Sequence, residues 1–196
     1  MHPNNDPSSA DLWLIRHAPA QDGGAMAGRR DVDADCSDVA SIAAMRAVVA
    51  QASEQALWAS PARRCAQTAA ALWPNAAPQQ DARLWEQDFG AWEGLPYADL
   101  PDIGPLQGAA LAQFAPPQGE SFADLCARVW PFYQGLGAGH HVIVAHAGVI
   151  RAALGLALGA AHLGLGFSLA PLSLTRLRRD LSSSTWAVVC TNWTAQ

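Results

Sequence analysis

Two apolar runs that each end in histidine constrain this chain more than any other feature. Residues 12 to 17 read LWLIRH and residues 141 to 146 read HVIVAH. A strand with one solvated face alternates apolar and polar residues, whereas an unbroken apolar run is buried on both faces. That pattern belongs to the middle of a parallel sheet with helices on either side. In such sheets ligands bind beyond the carboxyl ends of the strands. Arg16, His17 and His146 stand at two of those ends.

The remaining segments supply the helices that such a sheet needs. Ser37 suits the N-cap of a helix reaching about Gln51. The stretch QALWAS (55 to 60) reads as a second strand, and Ser60-Pro61 opens a second helix that ends before Pro74. QQDARLW is a weaker third strand. Residues 86 to 119 are punctuated by Gly and Pro and are expected to hold short helices. Ser121 and Asp124 have capping-box spacing at the head of a helix through Phe132, and Ala147 to Leu158 form another. Two closing strands flank the turn DLSSS. Strands alternating with helices predict an α/β fold, a three-layer αβα sandwich with a mostly parallel sheet. Length fits one domain over residues 1 to 196, with residues 1 to 10 as a loose tail.

Charge and composition narrow the partners. A net charge of −5 argues against a nucleic-acid or acidic-membrane surface. No lysine occurs, so any cationic site uses arginine forks, which suit phosphate and carboxylate. The four scattered cysteines, Cys36, Cys65, Cys126 and Cys190, read as reduced thiols of a cytoplasmic protein. Residues 1 to 11 lack an apolar signal core, and the apolar stretch around Val149 to Phe167 is broken by Arg151, glycines and His162. The eight tryptophans are expected mostly in the core. Trp85 and Trp92 flank Glu86, where either core packing or a pocket wall suits them.

Four stretches carry the chemistry: LIRHAPA, SPARRCAQTA, LWEQDFGAWEG and VIVAHAGVIR. A doubly wound topology gathers Arg16, His17, Arg64, Glu86 and His146 over one edge of the sheet. Nearby cations keep an imidazole neutral and able to attack phosphorus. Two guanidiniums and a second imidazole hold the non-bridging oxygens, and a carboxyl group protonates the departing oxygen. Asp88 and Glu93 are competing carboxylates for that last role. His2, His140, His141 and His162 read as surface or packing residues.

These stretches resemble the histidine phosphatase superfamily, the phosphoglycerate mutase-like fold. LIRHA is similar to its Arg-His-Gly signature, and SPARRCAQTA to its Ser-Pro-Leu-x-Arg-Ala-x-Gln-Thr-Ala helix. The match implies His17 as nucleophile, Glu86 as acid, and Arg16, Arg64 (not Arg63) and His146 as phosphate ligands, with Ala147 beside them. PPQGESFADLCARV resembles the family's Gly-Glu-Ser segment. Ala18 replaces the signature glycine, so the loop after His17 is expected to take another path. Gly23 stands where many members have asparagine. The turn GRRDVD is similar to one in α-ribazole phosphatases and implies Gly28 and Arg29 as substitute substrate contacts.

The resemblance therefore implies a phosphomonoesterase acting on a small phosphorylated substrate through a phosphohistidine, with no metal or cofactor. α-Ribazole 5′-phosphate, of cobalamin biosynthesis, is the substrate it suggests first. A broader small-molecule or phosphoprotein phosphatase is the alternative. A mutase fits less well, because Gln87 follows the acid and few cations lie between Glu86 and Gly119. A metallohydrolase built on His17 and His146 and a non-catalytic phospholigand binder stay open at this point.

Overall fold

The computed structural model describes residues 8–52 and 56–195. Its centre is the pair of strands read from the two apolar runs, β1 (Ser9–Arg16) and β4 (Gly139–Ala145), which lie side by side in parallel. Every residue of β1 up to Ile15 is buried, as an inner strand of a covered sheet requires. Around them stand β2 (Ala56–Ala59), β3 (Gln79–Gln80), β5 (Leu174–Asp180) and β6 (Trp186–Trp193), giving six strands in the order β3-β2-β4-β1-β5-β6. The pairings from β1 through β4 and β2 to β3 are parallel; β5 and β6 join as an antiparallel edge.

Helices α1 (Val39–Val49) and α2 (Arg63–Leu72) cover one face, and α3 (Gly108–Gln113), α4 (Phe122–Gln134) and α5 (Ala147–Leu158) cover the other. Side-chain alternation along the strands sorts the two cores. Trp13, Ile15, Val142 and Val144 pack with α1 and α2, whereas Leu12, Leu14, Ile143 and Ala145 pack with α4 and α5. The architecture is the expected three-layer α/β sandwich. Truncating one of these fully buried aliphatic side chains to Ala costs about 2–5 kcal/mol.

One polar cluster fixes the far end of β1. Asp11 is buried, and its carboxylate meets Arg176 at 2.9 Å, Arg178 at 3.5 Å and His140 at 3.8 Å, from the strands on either side. Arg176 also lies 4.0 Å over the Trp13 ring. The buried member of the cluster is the Asp11 carboxylate, and Arg176 and Arg178 of β5 reach it from the solvent side, so the contact ties β1 to β5 in the register observed.

Several local expectations shift by a residue or two. The cap of α1 is Asp38, whose carboxylate accepts from the Ser41 N–H, and Ser37 precedes it. Pro61 lies before α2, which has Ala62 at its N-cap. Ser9 and Ala10, assigned to the tail, begin β1; the rest of that tail through residue 7, and His2 with it, lies outside the described residues. The third strand shrinks to Gln79–Gln80, because Asp81 caps a short 3-10 turn at Ala82–Leu84. Ser121 and Asp124 do form a reciprocal capping box on α4. Of the tryptophans only Trp13 is buried; the others are half-buried, except Trp193, which is 40% exposed. No described helix is long and apolar enough to cross a membrane.

Candidate active site

The register of β1 with β4 decides where the two histidines go. Arg16 pairs with Ala145, so His17 and His146 each leave the sheet one residue later and at the same level. The His17 N–H extends the pairing to the Ala145 carbonyl at 2.9 Å, and the Ser60 N–H at the end of β2 does the same to Val144 at 3.0 Å. The two imidazole rings meet edge to face with centroids 5.1 Å apart.

His17 is buried, and its Nδ1 lies 2.6 Å from the carbonyl oxygen of Ala18. A carbonyl only accepts, so Nδ1 carries the proton and the Nε2 lone pair is free. Burial first, then the charges of Arg64 and Arg16, push the His17 pKa down to about 3. The ring is neutral near pH 7. Ala18 is held on its other side by the Thr68 hydroxyl, which accepts its N–H at 2.9 Å and donates to the Arg64 carbonyl at 2.7 Å. Ala18 is absent from the residues with positive φ, so the loop runs on without needing the glycine that usually follows this histidine.

Arg64 is 1% exposed, in the first turn of α2. Its terminal nitrogens donate to the carbonyls of Arg30 at 2.9 Å and Gly28 at 2.7 Å, so the loop after His17 fixes the guanidinium from outside. Arg16 donates to the Leu169 carbonyl at 2.5 Å. In both arginines the Nε–H is buried and has no hydrogen-bond partner among the described residues. Such donors are costly to bury unless an anion takes them up. His146 is fully buried, with Nε2 2.8 Å from the Ser60 hydroxyl. Burial, His17 and Arg64 hold its pKa well below the ordinary histidine value.

Glu86 is placed by backbone. Its Oε1 accepts the Gln87 N–H at 2.9 Å and its Oε2 accepts the Gly148 N–H, in the first turn of α5, at 3.1 Å. A Cβ on Gly148 would lie 2.2 Å from Oε1, so glycine is required there for the carboxylate to approach. Arg128 of α4 clamps the strand of chain leading to the acid. It donates to the carbonyls of Arg83, Trp85 and Glu86 at 2.7, 3.0 and 3.2 Å, and grips both oxygens of Glu120 at 2.8 and 2.9 Å.

The two competing carboxylates have structural partners. Glu93 accepts the N–H groups of Arg29 at 2.7 Å and Phe89 at 3.1 Å, and Asp88 accepts that of Gly90 at 2.8 Å. Arg29 stands at the rim, its guanidinium 3.5 Å from Asp88 and 3.4 Å from Glu120. A substrate oxygen has to compete with those carboxylates. Gly28 faces the site through the carbonyl it lends to Arg64, and Ala147 is the first residue of α5, next to His146.

The five residues named for the chemistry are brought together, and others that were not singled out hold them in place. Ser60 and Thr68 lie inside the quoted SPARRCAQTA segment, and Gly148 inside AHAG. Their signal was present as motif positions whose partners a sequence does not show. Asp22 and Tyr97 left no such signal. The Tyr97 hydroxyl donates to Asp22 at 3.1 Å, closing the loop after His17 against the 94–97 segment. Among the described residues no group of three His, Cys, Asp or Glu side chains is arranged to hold a metal ion.

Known proteins share the family and the fold of this chain. A glucosyl-3-phosphoglycerate phosphatase of Mycolicibacterium vanbaalenii is 30% identical over 168 residues, covering 76% of this chain and 74% of that protein. A bifunctional protein of Mycobacterium tuberculosis is 35% identical over 117 residues, 53% of this chain; the aligned stretch spans only 31% of that protein's length. The solved mycobacterial glucosyl-3-phosphoglycerate phosphatase superposes with a TM-score of 0.79 at 27% identity, over 94% of this chain and 99% of the other. The α-ribazole phosphatase from Shigella flexneri shares the fold, with a TM-score of 0.76 at 22% identity over 93% and 96% of the two chains. Residues 12–194 match the family model of the histidine phosphatase superfamily (branch 1), and the chain belongs to that family.

Proposed function

We propose that this protein is a phosphomonoesterase that works through a phosphohistidine at His17, and that its substrate is α-ribazole 5′-phosphate or a close relative. The observation that carries the mechanism is the neutral His17 ring, with Nδ1 tied to Ala18, next to His146 and within the field of Arg64 and Arg16. The Nε2 lone pair attacks phosphorus as the ester P–O bond breaks. The leaving oxygen takes the proton of Glu86. Arg16, Arg64 and His146 donate to the non-bridging oxygens, where charge shifts in the transition state. The Nδ1–H bond to Ala18 then steadies the cationic phosphoimidazole. In the second half Glu86 removes a proton from water, the water oxygen attacks phosphorus, and the N–P electrons return to Nε2. Inorganic phosphate leaves with the site reset.

Gly28 acts through Arg64, Arg29 meets the substrate at the rim, and Ala147 offers its N–H beside His146. The α-ribazole reading is supported by the GRRDVD turn and by scarce positive charge beyond the phosphate site. No arginine stands between Arg83 and Arg128, the span that includes residues 86 to 119. A substrate with a second anionic group finds little there to neutralise it. One observation favours a second reading, a glucosyl-3-phosphoglycerate phosphatase: the identity with the Mycolicibacterium protein of that name. Comparing kcat/KM for α-ribazole 5′-phosphate, glucosyl-3-phosphoglycerate and 3-phosphoglycerate separates them. The first reading requires α-ribazole 5′-phosphate to be turned over best. A preference for the glucosylated acid transfers the assignment to the second. Turnover is expected to survive EDTA and to be inhibited by vanadate, in the cytoplasm-like conditions that the reduced cysteines suit.

A further inference from the structure

The segment that carries Glu86 also builds a recess that the phosphate chemistry does not use. Its volume is about 200 Å³. Phe89, Trp92 and Phe114 form aromatic walls, and Ile103, Leu111 and Leu165 complete them. Trp92 and Phe114 stack with centroids 5.6 Å apart and planes 29° from parallel, so this wall is a fixed, flat surface. Each of these six side chains is only half-buried, so the recess is reachable from solvent. Its lining contains no charged side chain among the described residues.

Its position gives it meaning. Gln87 is part of its lining, and the Gln87 N–H is bonded to Glu86 Oε1 at 2.9 Å. The Gln87 side chain in turn donates to the Glu120 carbonyl at 2.7 Å, and Glu120 is gripped by Arg128. Recess and acid therefore belong to one braced unit. Glu86 protonates the departing oxygen, so whatever the alcohol carries extends on the side of the Glu86 segment.

We propose that the recess is the leaving-group subsite, and that it accepts a planar apolar ring carried by the substrate alcohol at a distance from the phosphate. The assignment rests on the phosphatase reading above and narrows its substrate class. The volume falls below the roughly 300–1,000 Å³ that holds a whole drug-sized ligand, so it suits one ring system and leaves the rest of the substrate outside. A flat aromatic wall with no charge rewards a ring and rejects a carboxylate, whose desolvation nothing here offsets. A sugar, with its hydroxyls, gains little from the same surface.

The test uses phenylalkyl and naphthylalkyl phosphates of graded chain length against plain alkyl phosphates. All have similarly basic leaving oxygens, so the demand on Glu86 is constant. The wild-type enzyme is expected to favour the best aryl ester by about 10-fold or more in kcat/KM. Leu111→Trp, which fills the recess, is expected to bring the aryl-to-alkyl ratio of kcat/KM to about one; Ile103→Phe serves if that variant does not fold. Equal kcat/KM for aryl and alkyl esters in the wild type, or a preference that survives the filled recess, overturns the subsite. If no phosphomonoester is hydrolysed, the phosphatase reading fails instead. The subsite is then judged by calorimetric binding of the matching arylalkyl and alkyl phosphonates. Tighter binding of the aryl compound upholds it, and equal binding removes it.

Discussion

At the level of single residues, the site depends on side chains that hold other side chains. His17 is useful because Ala18 fixes its tautomer, and Ala18 is fixed by Thr68. The motif residues were legible because local sequence context carries them: an apolar run ending in Arg-His, or a Ser-Pro before a helix. The contacts made by Ser60, Thr68, Arg128 and Tyr97 were not, because their partners stand far away in sequence and obey no period. Gly148 gives the sharpest single-residue prediction. A methyl group there meets Glu86 Oε1 at 2.2 Å, so Gly148→Ala must push the acid away. Alkyl phosphates need a proton on the leaving oxygen and nitrophenyl phosphate barely does. Gly148→Ala should therefore mimic Glu86→Gln, with alkyl phosphate turnover falling about 10²-fold and the activated ester affected much less in its first half-reaction. Steady-state rates together with burst amplitudes on the two ester classes check this. Equal losses on both would mean that Glu86 is not the acid.

At the level of elements, helix α2 shows how one turn separates two neighbouring arginines. Successive residues on a helix point about 100° apart. Arg64 turns inward and is fixed by the Gly28 and Arg30 carbonyls, while Arg63 turns outward to a surface pair with Asp33. Arg64→Ala should lower kcat by about 10²-fold or more, and Arg63→Ala should change it little. Kinetics of the two variants on one substrate decide it, and the reverse ranking would mean that the helix presents its other face to the substrate. Helix α2, α5 and the strands β1 and β4 were readable from periodicity and end signals. The exact caps were not, since Ser37 and Asp38 are both good cap residues and only the turn geometry selects Asp38. The span from 86 to 119 was readable only as punctuated. Its short turns are fixed by close backbone approaches, such as Gly90 against Pro117 and Gly119, which leave no pattern in composition.

At the level of the whole molecule, the fold class followed from two unbroken apolar runs, because only a sheet covered on both faces can bury them. The strand order and the antiparallel edge depend on contacts between distant segments, with the turn before β6 as the one local hint. Burying two neutral imidazoles at the carboxyl ends of the two central strands has a consequence for stability. Unfolded histidine takes up a proton below about pH 6.5, whereas folded His17 does so only near pH 3. Between those values the unfolded state binds more protons, so stability is full above about pH 6.5 and falls as the pH drops towards the folded value. From pH 7 to pH 5 the loss attributable to His17 is on the order of 2 kcal/mol. Urea unfolding at the two pH values should show a smaller loss in His17→Asn than in the wild type, and an equal loss would place the charge of His17 elsewhere. The central claim, that this fold exists to offer the neutral Nε2 of His17 to phosphorus, is tested most directly by trapping the enzyme during turnover. Rapid quenching in base with ³²P-labelled substrate should leave label on His17, stable to alkali and lost in acid, and absent from His17→Ala. Label that appears on another residue, or His17→Ala turning over substrate at the wild-type rate, would contradict the account.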